Sequence, residues 1–157
     1  ATNLQMSSSG TQGGMNLQPL GTNNMDEAIS LARQDQNNST YTDVLKFNTS
    51  SSMDKAIFDE ATKLQESINS GEIKYNVLTN NCADAVQTVV EGGTGVELNT
   101  GLSPKPNDKF AILKENKDNI QKDINKKIEV QKAEQVTTSS KMDNIPSKTI
   151  LIKKIKE

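Results

Sequence analysis

Asn80-Asn81-Cys82-Ala83-Asp84-Ala85-Val86 is the stretch on which the reading of this chain turns. It holds the only cysteine and follows the apolar run Tyr75-Asn76-Val77-Leu78. The pattern predicts a helix: Thr79, Asn80 or Asn81 caps it, Ala83 through Val90 propagate it, and Gly92-Gly93 stop it. A thiol in the first turn of a helix faces unpaired N–H groups and the positive end of the peptide dipoles, which favour thiolate over thiol. Two readings of Cys82 therefore stand side by side. One is an activated nucleophile at a helix start. The other is a small buried apolar side chain, a common state of free cysteine.

Working outward, Ala85, Val86, Val89 and Val90 cover more than one face of this helix, which suits burial against a sheet. Upstream, Met53, Ile57, Ala61, Leu64 and Ile68 recur at helical spacing with Phe58 beside them, predicting a helix over 53–70 whose role is packing. Ser51 or Ser52 is its expected cap, Asp54 suits its first turn and Gly71 ends it. Asp59 and Lys63 form an i,i+4 pair worth only about 0.3 kcal/mol. Val44-Leu45-Lys46-Phe47-Asn48 reads as a strand. Val44 and Phe47 cannot share one face under strict alternation, so the strand is expected to be covered on both sides. Residues 26–34, with Ala28, Ile29, Leu31 and Ala32, predict a short helix capped by Asn24 or Asp26, and 34–42 reads as a loop. Residues 1–24 are either a flexible polar leader or edge strands that include Met15-Asn16-Leu17.

Downstream, residues 94–107 form a loop from which Leu98, Leu102 and Pro104 are expected to pack back. Asn107 is the expected cap of a further helical segment, carrying Phe110, Leu113, Ile120, Ile124 and Ile128 and broken at Lys117. Ile120, Ile124 and Ile128 form a narrow stripe in a charged helix over 114–134, which lies on the domain or seeks a partner. Residues 135–148 read as a linker. Thr149-Ile150-Leu151-Ile152-Lys153-Lys154-Ile155 has strand composition and ends the 135–157 extension, with its lysines as edge protection.

Composition narrows the function. With 157 residues, one modest core is expected. Aromatics make up 3% of the chain and tryptophan is absent, so that core rests on aliphatic side chains. A net charge of -2 and a single arginine, Arg33, give no reason to expect nucleic acid as a partner. A single cysteine and no histidine exclude an internal disulfide and the usual transition-metal clusters, and no calcium-loop motif is present. No cofactor and no metal site are expected. No stretch is apolar enough to cross a bilayer. The chain begins at Ala1 without a charged-then-apolar leader, which reads as a processed chain.

Residues 75–86 and the closing Gly92-Gly93 resemble the nucleophile segment of circularly permuted papain-fold domains, the NlpC-like and lecithin:retinol-acyltransferase-like group found at the C-termini of RHS-type polymorphic toxins of bacteria. Residues 44–50, the 53–70 helix and Ser103-Pro104-Lys105-Pro106 fit the same layout, so the resemblance covers roughly residues 41–110. It implies an α+β, papain-like core over 25–113, a small mainly antiparallel sheet with the two helices packed on it. It also implies a thiol hydrolase or acyltransferase acting on an amide or ester, delivered by a bacterial secretion system, with an immunity protein or parent-protein shell as partner. Cys82 would be the nucleophile. Its backbone N–H, helped by Asn80 or Asn81, would hold the oxyanion. The family's histidine base has no counterpart, since the chain contains no histidine. The alternative is a non-catalytic interaction or structural module.

Overall fold

The computed structural model describes residues 4–8, 15–19, 22, 24–34, 42–74 and 82–143. Two short strands, β1 (Leu4–Ser8) and β2 (Met15–Pro19), precede five helices: α1 (Met25–Gln34), α2 (Ser51–Asn69), α3 (Cys82–Thr94), α4 (Pro106–Glu115) and α5 (Lys117–Asp143). None of these helices is long and apolar enough to cross a membrane.

Helices organise the molecule, which overturns the α+β papain-like expectation. The only strands among the described residues are β1 and β2, an antiparallel pair with Leu4 opposite Pro19 and Ser8 opposite Met15. The buried cluster is Met53, Val96, Leu98, Ile120 and Ile124, drawn from α2, the 95–100 segment and α5. Beside this cluster, β2 lies against α2 and β1 against α3. Phe47, Val90, Leu113 and Ile128 pack around the cluster's edge. The expected strand at 44–48 is unpaired chain. Its alternation conflict disappears for that reason: Phe47 turns to the core while Val44 stays 42% exposed.

Helix α2 follows from its spacing. Met53 and Ala61 are fully buried, and Ile57, Leu64 and Ile68 lie half-buried along the same stripe. The cap is Ser50, not Ser51 or Ser52: the Met53 N–H donates to Ser50 Oγ at 3.2 Å. Past the end, Gly71 takes φ +82°. Asp59 pairs with Lys55 at 2.7 Å rather than with Lys63, which reaches Glu60 at 3.0 Å.

Helix α3 runs through Gly92 and Gly93 instead of stopping there. The stop is Gly95, at φ +70°, whose N–H donates to Glu91 O at 2.9 Å. The physical reason lies in the neighbouring helix. A Cβ on Gly93 would sit 2.6 Å from both Cα and N of Ile57, closer than any packing allows. Gly93 is thus a contact glycine, where α3 presses against the backbone of α2.

Beyond α3, Leu98 is buried as expected, whereas Leu102 is fully exposed. Helix α4 begins at Pro106, with Lys105 rather than Asn107 at the cap position and proline in the first turn. Helix α5 lies on the core through Ile120 and Ile124. Gln121 clamps the 42–50 segment, accepting from the Asn48 N–H at 2.8 Å and donating to Asn48 O at 2.9 Å. Gln131 accepts from Ser52 Oγ at 3.1 Å. Residues 135–143, expected as linker, continue α5 as helix. The expected terminal strand at 149–155 lies outside the described residues.

Helix α1 is capped by Asn24, whose Oδ1 accepts from the N–H groups of Asp26 and Glu27 at 2.9 and 3.2 Å. Lys46 Nζ holds Asp26 at 2.9 Å, and this hydrogen bond and charge keep the Asp26 carboxyl below its ordinary 3.8. Because the folded-state value is lowered, whatever this exposed pair contributes is present above pH 3.8 and is lost as acid carries the pH down through the lowered value.

Gly93→Ala is expected to cost about 2–3 kcal/mol, since the intruding methyl meets backbone that cannot swing away. Gly71→Ala, with open space but a positive φ, is expected to cost about 1 kcal/mol. Urea-unfolding midpoints compare the two; equal losses would contradict the close crossing.

Candidate functional site at the start of helix α3

Cys82 is the first residue of α3 and its thiol is exposed. Burial as a small apolar side chain is therefore excluded. Asn80 and Asn81, the expected oxyanion helpers, and Thr79 lie outside the described residues. The exposed side of α3 here also carries Val86, 46% accessible.

Two residues on from the thiol, Asp84 stands in the first turn of α3, a favourable place for a carboxylate. Its carboxylate accepts a charge-assisted hydrogen bond from Lys109 Nζ of α4. The two side chains are only 24% and 11% accessible, the least exposed ion pair among the described residues. This pair joins α3 to α4 and commits the carboxylate closest in sequence to Cys82. The chain contains no histidine, so an imidazole base for the thiol is absent.

Further along α3, Gln87 and Glu91 staple the extended 95–100 segment. Glu91 Oε1 accepts from the Leu98 N–H at 2.7 Å and from Gln87 Nε2 at 3.1 Å. Gln87 Nε2 also donates to Leu98 O at 2.8 Å, while Gln87 Oε1 accepts from Thr100 Oγ1 at 2.8 Å. Both backbone polar groups of Leu98 are thereby satisfied, which lets its side chain enter the core. A groove of about 450 Å³ opens beside this staple, lined by Gln87, Glu91, Thr100 and Lys109 among others. Its volume would admit a small ligand. Gln87, Glu91, Thr100 and Lys109 are already engaged with one another, with Leu98 or with Asp84, and Cys82 does not line it.

Among the described residues, no group of three or more acidic, cysteine or histidine side chains is placed to hold a metal ion. The sequence reading missed the Asp84–Lys109 pair and the Gln87–Glu91 staple. Gln87 and Glu91 stand i,i+4 on one helix and were legible as a pair; their targets on Leu98 and Thr100 were not. The 25-residue separation of Asp84 and Lys109 left no local signal.

No protein-family model matches the chain, and no curated protein or solved structure shows significant similarity to it.

Glu91→Ala is expected to cost about 1–3 kcal/mol by orphaning the Leu98 N–H, and Glu91→Gln, which keeps an acceptor, markedly less. Thermal melts of the two variants read the difference. An equal loss in both would show that the charge, not the hydrogen bond, holds the segment.

Proposed function

We propose that this chain is a non-catalytic helical interaction module in which α5 is the element presented to a partner. The observation that carries this reading is the division of α5 into two parts. Through Gln131 the helix is bound to the rest of the molecule by Ile120, Ile124, Gln121 and Gln131 itself. Past Gln131 it continues for 12 residues to Asp143, about 18 Å of helix. Residues 132–138 of that stretch are all exposed.

The outer part is poorly suited to stand alone. Thr137, Thr138, Ser139 and Ser140 are weak helix formers, and a short helix in water is marginal without packing. Thr137 and Thr138 turn their hydroxyls back onto the carbonyls of Ala133 and Glu134, at 3.0 and 2.9 Å. Val130 and Val136 nevertheless remain 54% and 67% exposed among charged and polar neighbours. Such a helix gains most of its order from a partner.

Two measurements test the reading. Ending the chain after Gln131 is expected to leave the melting temperature within about 2 °C, because the removed residues lie outside the core. A photoreactive side chain at Ala133 is expected to give discrete crosslinks in the cells that make the protein, and one at Lys63 on the wet face of α2 none. A large fall in melting temperature, or no adduct at 133, would contradict it.

A second reading draws on Cys82: a cysteine-dependent hydrolase or acyltransferase of a bacterial toxin or effector, acting on an amide or ester. The accessible thiol at the opening of α3 favours it. It requires a burst of acyl-enzyme from an activated ester that disappears in Cys82→Ala. The interaction-module reading expects acylation of Cys82 no faster than that of an ordinary accessible thiol, with no turnover.

A further inference from the structure

The outer face of α5 carries a pattern that specifies its own partner. At about 100° per residue, Ile120, Ile124, Ile128 and Gln131 share one side of the helix, and Val130, Ala133 and Thr137 lie on the opposite side. Val130 is 54% exposed, and Ala133 and Thr137 are exposed as well. Val130, Ala133 and Thr137 stand in the three- and four-residue spacing of a coiled-coil seam, with Lys126 as its preceding position. Lys127 and Glu134 flank this seam on one side; Lys122 and Glu129 flank it on the other.

We propose that this seam pairs with the same seam of a second copy of the chain, antiparallel, around a two-fold axis between Val130 and Ala133. The inference rests on the reading of α5 as the presented element and names what it is presented to. The charges choose the orientation. In a parallel pair, flanking positions would set Lys122 beside Lys127 and Glu129 beside Glu134 of the other copy, two like-charge contacts on each side. In an antiparallel pair, Lys127 of each copy meets Glu134 of the other, and symmetry forms that pair twice. Val130 then lies over Ala133 of the other copy, where the small side chain admits close approach. Lys127 and Glu134 are both exposed, and their side chains have no ion-pair partner among the described residues. The seam is short and its residues are small, so the dimer is a weak one, formed at high protein concentration.

Sedimentation velocity of the full chain across a concentration series tests this. The wild-type chain is expected to dimerise reversibly. Lys127→Glu alone and Glu134→Lys alone are each expected to weaken dimerisation about tenfold, as two attractive surface pairs become two repulsive ones. An equimolar mixture of the two variants is expected to regain the wild-type affinity, because a mixed dimer restores Lys–Glu contact at both sites. Lys127 borders Gly95 and Val96 at the end of α3, so circular dichroism melts of both variants are run alongside, and rescue by the mixture separates a contact between copies from a weakened fold. A wild-type chain monomeric at millimolar concentration would overturn the proposal. So would a dimer indifferent to the reversals, or singles that the mixture does not rescue. These outcomes differ from failure of the module reading itself, which the loss of stability on shortening α5 would show.

Discussion

The fold depends on how closely α3 can approach α2. At Gly93 the two backbones come so near that even one methyl group would collide with the main chain of Ile57. The helix ends two residues later at Gly95, and the chain leaving it enters directly beside the core. Val96 and Leu98 then join Met53 of α2 and Ile120 and Ile124 of α5 in one cluster. A chain with 3% aromatic residues has little bulk with which to fill gaps, so close backbone contact replaces side-chain volume.

Polar groups complete what apolar area alone could not. The 95–100 segment has neither helix nor strand to satisfy its backbone, yet it turns Val96, Leu98 and Thr100 inward while Gly95, Glu97 and Asn99 stay exposed. Gln87 and Glu91 supply the missing partners at Leu98, and Thr94 does so at Val96, where the N–H donates to its hydroxyl at 3.2 Å. Gln121 performs the same service for Asn48. Helix α5 is the beam to which these pieces are fastened, and only its first half is needed for that purpose. The second half is left over for another role.

Much of this was legible in the residues. The stripe of Met53, Ile57, Ala61, Leu64 and Ile68 identified α2, the alanines and valines after Cys82 identified α3, and Ile120 with Ile124 marked the inner face of α5. Met15-Asn16-Leu17 is a strand, one of the two readings that composition allowed. What misled was the double meaning of glycine and of short motifs. Gly92-Gly93 carries the signature of a helix stop, but a missing side chain serves equally for close packing, and only the partner helix decides. Val44 to Asn48 has strand composition but pairs with no strand among the described residues. The likeness around Cys82 suggested a sheet-based nucleophile fold, whereas a dozen residues of similar wording constrain one helix start and not the architecture behind it. The site was legible only as a thiol at a helix opening; the lysine that occupies its neighbouring carboxylate comes from α4, through the tertiary fold.

Helix α5 joins the core through its first half and leaves residues 132–138 exposed. Amide hydrogen exchange, followed residue by residue in dilute protein, reads this division directly. Amides from Ile120 to Gln131 are expected to share the slow exchange of α2 and α3, and those beyond Lys132 to exchange by local opening, faster by at least about a hundredfold. Uniform protection along the whole helix in dilute monomer, or rapid exchange already at Ile124, would contradict it.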